Sequence, residues 1–278
     1  MKIIDGKALA TKLRNQLKER IQQSNKVPAL AVVLVGTDPA SQIYVKNKIK
    51  ACQEIGIKSF AYELPETTSQ KELESLLDTL AKDTNINGIL LQLPLPKTLN
   101  NASAMAHIPV EKDVDGFSKE HLGLLALHKE TMVACTPLGV MKMLEDEGVD
   151  LVGKHAVVLG RSDTVGKPMA MLLLNANATV TVCHSKTKNL AQICKQADIL
   201  ISAIGKPKFV TSDMVKEGAI VIDVGMNRDE NGKLCGDVDF ENVKEKTSLI
   251  TPVPGGVGPM TITMLMYNTC YTIFKENA

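Results

Sequence analysis

Lys48 and Gln92 are polar side chains set among apolar neighbours, and both are types that can handle protons or grip a flat polar ligand. In PASQIYVKNKIKAC (39–52) and the residues after it, a helical reading at about 100° per residue puts Tyr44, Lys48, Ala51, Cys52 and Ile55 on one face. Gln42, Lys46, Lys50 and Gln53 fall on the opposite face, where solvated side chains belong. Lys48 therefore places an amine in the stripe that should meet protein. Two readings are open. Its stem can pack on the stripe while the head reaches water. Alternatively it is a functional amine in a cleft, one turn from Tyr44, where burial disfavours its charged form and suits it to act as a base or proton relay. Gln92 interrupts the apolar run GILLQLPLP (88–96). A buried amide needs partners, and these are either the lysine head, a ligand or a nearby loop.

Two further stretches have residue types suited to ligands. KDVDGF (112–117) offers Asp113 and Asp115, which would share a face of an extended segment. A carboxylate there can grip an amidine-like N–H pair, cap a helix or hold another part of the chain. ITPVPGGVGPMT (250–261) has three prolines and three glycines within 252–259, too many for a regular element. With prolines fixing φ and glycines leaving the backbone bare, Pro252, Gly255 and Gly256 suit close approach to a flat ligand, or a plain linker into the last helix.

GRSDTVGKP (160–168) follows an apolar run and opens a helical pattern. A strand, a small-residue turn and a helix N-terminus make an anion site, with Gly160, Arg161, Ser162 and Gly166 around a dinucleotide pyrophosphate. The spacing is not the usual G-x-G-x-x-G, so its weight comes from the strand–turn–helix context. NAD sites place an acid about 20 residues further on, but no Asp or Glu lies between Asp163 and Asp198. The next strand ends instead in Ser185, Lys186 and Lys188. Hydroxyls and cations would receive a 2′-phosphate that a carboxylate would repel, and Arg161 could add a guanidinium. This favours NADP, against the alternative of ordinary solvated loop residues.

These residues need a scaffold, and its grammar is plain. Strand-like runs at 29–36, 59–65 and 87–96 alternate with helical patterns from Asp38 or Ser41 and over 67–83, the latter with a capping signature. Runs at 154–160, 178–185, 197–205 and 219–225 alternate with helix candidates at 166–177, 188–197 and 212–218. Short apolar runs between helices predict parallel strands covered on both faces. The expected fold is α/β, with two α/β domains and a cleft between them, the second a dinucleotide-binding domain with a parallel sheet. The main boundary falls near 116–120, and the apolar helix at 260–274 is expected to return to the first domain.

The totals exclude several classes. The chain has 278 residues, 44% hydrophobic, with a formal net charge of +1, no tryptophan and 3% aromatics. That is a globular composition with no basic excess for nucleic acid or an anionic membrane and few rings for base stacking. No signal-peptide core or membrane-length apolar run is present. The six scattered cysteines lack a C-x-x-C pair, which argues against a metal site and for reduced thiols in a cytoplasmic protein.

Taken in order, PASQIYVKNKIKAC, GILLQLPLP, KDVDGF, CTP at 135–137, GRSDTVGKP and TPVPGGVGPMT resemble the bifunctional methylenetetrahydrofolate dehydrogenase/methenyltetrahydrofolate cyclohydrolase family, the bacterial FolD type, over nearly the full length. The resemblance implies a catalytic, folate-binding domain of residues 1–118 plus 260–278 and a Rossmann NADP-binding domain of 119–259. It implies that Tyr44 stacks on folate, Lys48 is the central catalytic group, Gln92 tunes it and Asp115 binds the pterin. It implies further that Pro252 to Gly256 close over the substrate, that Arg161 and Ser185 meet the NADP 2′-phosphate, and that the protein is a homodimer with no metal. The implied reactions are NADP-dependent oxidation of 5,10-methylenetetrahydrofolate to the methenyl cation and its hydrolysis to 10-formyltetrahydrofolate. Because a cationic substrate would repel a charged lysine, Lys48 is expected to serve the hydrolysis more than the hydride transfer. The chain departs from the family pattern at Thr164, His121 and Ala134, and His121 is expected at the surface. A shikimate-dehydrogenase-like enzyme and a folate-binding protein without catalysis are the rival readings.

Overall fold

The computed structural model describes residues 1–275. In chain order the first half contains β1 (Lys2–Ile3), α1 (Gly6–Gln23), β2 (Ala29–Val35), α2 (Pro39–Ile55), β3 (Lys58–Leu64), α3 (Gln70–Lys82), β4 (Gly88–Leu91), α4 (Asn101–Met105) and α5 (Lys119–Ala126). The second half contains α6 (Cys135–Asp146), β5 (His155–Leu159), α7 (Gly166–Asn175), β6 (Thr179–Cys183), α8 (Leu190–Cys194), β7 (Ile199–Ser202) and β8 (Ala219–Asp223). A small hairpin, β9 (Asn227–Arg228) and β10 (Leu234–Cys235), precedes α9 (Phe240–Val243), β11 (Thr247–Ile250) and α10 (Val257–Lys275).

The chain divides into two compact units. One comprises 13–123, 131–133 and the chain from Leu265, and holds a parallel three-stranded sheet in the order β3-β2-β4. Every residue of β2 and β4 is buried, as expected of strands covered on both faces. Alternate residues Ala29, Ala31, Val33 and Val35 pack with Leu73, Leu77 and Leu80 of α3. That helix starts with a capping box, Ser69 and Glu72 each accepting a backbone N–H of the other.

The other unit comprises 1–12, 124–130 and 134–264. Its six-stranded sheet is parallel throughout, in the order β1-β11-β8-β7-β5-β6. The order reverses between β5 and β7, since β5 lies between its successors β6 and β7. Residues 1–12 therefore lie outside the grouping expected from sequence, because β1 hydrogen-bonds to β11. Two expected helices shrink. The segment 212–218 forms only a 3-10 turn over Ser212–Met214, and Gly218 is left-handed with φ 75°. The segment 188–197 is helical only over Leu190–Cys194, since Asn189 is left-handed with φ 53°.

Candidate active site and dinucleotide turn

α2 is held at both ends by local chemistry. Asp38 caps it by accepting the Ser41 N–H at 2.8 Å, which holds the Asp38 carboxyl below its usual range, and Pro39 opens the first turn. Gly56 closes it in the left-handed region with φ 91°, and the Ile57 N–H returns to the Cys52 carbonyl at 3.0 Å. Between these caps the predicted faces are present except at Gln42, which is half-buried. Lys46, Lys50 and Gln53 are exposed, Ala51, Cys52 and Ile55 are buried, and Tyr44 and Lys48 are half-buried.

The Lys48 amine donates to Gln92 Oε1 at 3.0 Å. Gln92 lies one residue past β4, its own N–H still donating to the Val33 carbonyl at 2.9 Å. Its Nε2 donates to the Leu93 carbonyl at 2.7 Å, which turns the amide oxygen toward the lysine. The amine thus sits in the apolar stripe with its head held, not snorkelling free. One turn further on, burial pushes the Cys52 thiol up to about 11, with the Lys48 charge acting in the opposite direction.

Asp113 and Asp115 are not equivalent. Asp113 is 1% exposed, and its carboxylate accepts the N–H groups of Gly116 at 3.2 Å and Ser118 at 2.6 Å. It closes the turn that presents Asp115, which remains half-buried. A parallel bridge pairs Asp113 with Ile89, so the chain runs beside β4 in the direction of Gln92. Val114, between the two, packs on bare Gly88, where a Cβ would come within 2.4 Å of Val114 Cγ1. The Val114 carbonyl accepts Asn268 Nδ2 of α10 at 2.9 Å, which ties the returning helix to this turn.

His121 is not a surface residue. It is 5% exposed, with Nδ1 against Thr131 Oγ1 at 2.7 Å and Nε2 against the Val110 carbonyl at 2.9 Å. Two internal partners satisfy both ring nitrogens, which removes the cost of its burial.

In the six-stranded unit, β5 runs through a turn into α7. Gly160 has φ 127°, and a Cβ there would lie 2.3 Å from the Ala203 carbonyl oxygen. A Cβ on Gly166 would lie 2.4 Å from the Gly160 carbonyl oxygen. The turn therefore closes only with glycine at both positions. Ser162 Oγ accepts the N–H groups of Val165 at 3.2 Å and Gly166 at 3.3 Å, so this hydroxyl shapes the turn from within. Arg161 is exposed. On the neighbouring strand Leu159 is in register with Cys183, and Ser185 and Lys186 follow it, both exposed. Two strand ends side by side thus combine a bare-backbone turn, a helix N-terminus, a guanidinium, a hydroxyl and an ammonium, with no carboxylate on the second strand end. This fits a dinucleotide with a phosphorylated adenosine ribose.

The proline–glycine segment belongs to the same unit and is fixed, not a loose linker. The Gly255 carbonyl accepts the Lys7 N–H at 3.0 Å, and a Cβ on Gly6 would lie 2.0 Å from the Gly256 carbonyl oxygen. Gly255 has φ 103°, and a Cβ on Gly256 would lie 2.5 Å from the Pro252 carbonyl oxygen.

Sequence reasoning missed two buried carboxylates, Asp223 and Asp237, 3% and 0% exposed. Asp223 ends β8 and accepts N–H groups from Gly225, Asp237 and Val238 at 2.9, 2.9 and 2.8 Å. Burial pushes its carboxyl up to about 7 against those hydrogen bonds. The available signal was an acid at the end of an otherwise apolar run. Among the described residues, no group of three His, Cys, Asp or Glu could hold a metal ion.

The reversed strand order, glycine turn and lysine–glutamine pair define a two-unit α/β dinucleotide enzyme. Comparison with known proteins narrows the class. Residues 4–115 match the tetrahydrofolate dehydrogenase/cyclohydrolase catalytic domain, and residues 134–277 match the NAD(P)-binding domain of the same family. The bifunctional protein FolD of Campylobacter curvus (strain 525.92) is 58% identical over 272 residues, 97% of this chain and 94% of that protein. The crystal structure of the bifunctional FolD enzyme of Campylobacter jejuni superposes with a TM-score of 0.97 at 52% identity, covering 99% of both chains. FolD of Trypanosoma brucei, solved with NADP cofactor and inhibitor, gives a TM-score of 0.94 at 38% identity, covering 99% of this chain and 98% of that one. The chain belongs to the tetrahydrofolate dehydrogenase/cyclohydrolase family and is one of its bifunctional enzymes, an oxidoreductase and a hydrolase.

Proposed function

We propose that the enzyme oxidises methylenetetrahydrofolate with NADP⁺ and hydrolyses the methenyl product to 10-formyltetrahydrofolate, with Lys48 as the proton-handling group of the second reaction. The observation that carries this reading is the hydrogen bond from the Lys48 amine to Gln92 Oε1. The amine is fixed in place by the oxygen of a neutral amide. A neighbouring methenyl cation opposes a second positive charge. As the oxygen of water bonds to the methenyl carbon, Lys48 takes one of its protons. That proton passes to N5 as the C–N5 bond breaks, the remaining carbinol O–H proton leaves to solvent, and the formyl group stays on N10. Gln92 holds the amine in one orientation. Tyr44, one turn away, offers a ring to the folate, and Asp115 a carboxylate to the pterin N–H groups. Pro252, Gly255 and Gly256 supply bare backbone against the substrate.

NADP⁺, when bound, accepts the hydride from the methylene carbon. Gly160, Ser162 and Gly166 shape the turn for its pyrophosphate, and Arg161 and Ser185 receive the 2′-phosphate. The substrate's own N5 and N10 lone pairs stabilise the cation, so the protein's part in this step is alignment.

The protein works as a homodimer in the cytoplasm. The dimer is supported by β6, an open edge of the six-stranded sheet, with Val182 on it 39% exposed and Leu174 of the adjoining α7 61% exposed. Among the described residues no helix is long and apolar enough to cross a membrane.

The test mixes tetrahydrofolate, formaldehyde and NADP⁺ and follows methenyl absorbance. A rise followed by decay is expected. A rise without decay leaves a dehydrogenase alone, and binding with no rise leaves a folate-binding protein.

A further inference from the structure

Asp237 lies in the segment after the β9–β10 hairpin, and its carboxylate gathers five donors from two other stretches of chain. Oδ2 accepts Ser202 Oγ at 3.2 Å and the N–H groups of Ile204 at 2.7 Å and Gly205 at 3.3 Å. Oδ1 accepts the Lys206 N–H at 2.9 Å and Asn227 Nδ2 at 2.9 Å. Its backbone N–H is held in turn by Asp223 Oδ1. The fit depends on bare glycines. A Cβ on Gly225 would lie 2.3 Å from Asp237 Oδ1, and one on Gly236 would lie 1.8 Å from Asp223 Oδ2.

Three successive amides, Ile204 to Lys206, point at one carboxylate. In planar trans peptides the carbonyl of the preceding residue points the opposite way. The carbonyls of Ala203, Ile204 and Gly205 therefore face away from Asp237. The Ala203 oxygen faces the glycine turn, 2.3 Å from where a Gly160 Cβ would sit. These segments follow the carboxyl ends of β7 and β8, on the other side of β5 from β6. Ligands of open parallel sheets cross the carboxyl ends at the order reversal, here between β5 and β7. With the phosphorylated ribose at Ser185 beyond β6 and the pyrophosphate at the Gly160 turn, the rest of the dinucleotide extends over β7 and β8.

We infer that Asp237 is a positioning residue for the nicotinamide half of the dinucleotide: it clamps the Ile204–Lys206 backbone and Asn227 so that a row of carbonyls is presented to that half. The inference rests on the NADP reading above. An amide cannot replace this carboxylate, because five donors converge on it and a carboxamide would turn two N–H groups toward them. The clamp acts on one half of the ligand, so its loss should separate whole from fragment.

The test is calorimetric titration of the wild-type protein, Asp237→Asn and Asn227→Ala with NADP⁺ and with adenosine 2′,5′-bisphosphate, which lacks the nicotinamide half. For Asp237→Asn the dissociation constant for NADP⁺ should rise roughly tenfold or more, as expected for broken hydrogen bonds to a charged group. That for the bisphosphate should stay within about twofold. Asn227→Ala removes one donor without burying a new group and keeps the test open should Asp237→Asn not fold. It should show the same split at about threefold. Equal losses for both ligands, or none, in the variants that fold would overturn the inference while leaving the cofactor reading intact. Failure of the wild-type protein to bind either ligand would overturn both.

Discussion

Lys48 and Gln92 are 44 residues apart in the chain, yet Nζ and Oε1 meet at 3.0 Å. A helix and a strand end are joined by one hydrogen bond whose donor is held in an apolar stripe. Removing the amine while keeping the length of the side chain tests its role. Lys48→Met should lower cyclohydrolase turnover by roughly a hundredfold or more, the scale of a lost general base, with folate still bound. Stopped-flow decay of methenyl absorbance reports it, and unimpaired decay would remove the assignment. Gln92→Leu should act in the same direction by releasing the amine.

Arg161 is exposed in the glycine turn after β5, and Ser185 follows the end of the neighbouring strand β6. If it meets the 2′-phosphate, Arg161→Ala should raise KM for NADP⁺ roughly tenfold, as expected of one charge-assisted hydrogen bond, and change KM for NAD⁺ by less than about twofold. Equal effects on the two cofactors would place the 2′-phosphate elsewhere.

Gly88 and Val114 bring two backbones together beneath Asp115. In Gly88→Ala the new methyl would lie 2.4 Å from Val114 Cγ1 and 3.3 Å from Val114 Cβ, so the valine must shift to admit it. Overpacking of this kind costs about 1–3 kcal/mol. The variant should unfold at lower urea concentration and show a raised KM for folate, because displacing Val114 moves Asp115, the carboxylate proposed to meet the pterin. NADP⁺ binding, in the other unit, should be unchanged.

The buried carboxyl of Asp223 links stability to pH. Its folded value of about 7 lies above the usual 3.8, so between these values the folded state binds the extra proton. The stability this contributes is complete below the lower value and is lost as pH rises toward the upper one, a change of the order of 4 kcal/mol. Asp113, raised by burial, and His107, raised mainly by the hydrogen bond to Asp78, act with the same sign. Urea unfolding should show the six-stranded unit losing stability from pH 5 to pH 8. Asp223→Asn should flatten that slope. A slope of opposite sign would mean that the three backbone N–H bonds keep this carboxylate charged.

Much of this architecture was legible in the residue order because its causes are local. Period and caps placed α2 and α3, and uninterrupted apolar runs placed the buried strands of the two parallel sheets, β2, β4, β5, β7 and β8. The helical stripe singled out Lys48, and a lone amide in an apolar run singled out Gln92. Glycine spacing after β5, and the absence of an acid after β6, pointed to the phosphorylated dinucleotide.

What needed the third dimension was every choice that depends on a partner far along the chain. Sequence could not say whether Lys48 reaches water or Gln92, because that rests on where a distant strand ends. Nor could it separate Asp113, consumed in closing a turn, from Asp115. His121 is buried because Val110 and Thr131 satisfy its two nitrogens. Asp237 reads as an ordinary loop acid until five donors converge on it. A pattern along the chain sets which face a side chain occupies, but long-range hydrogen bonds decide whether a polar group can stay there at acceptable cost.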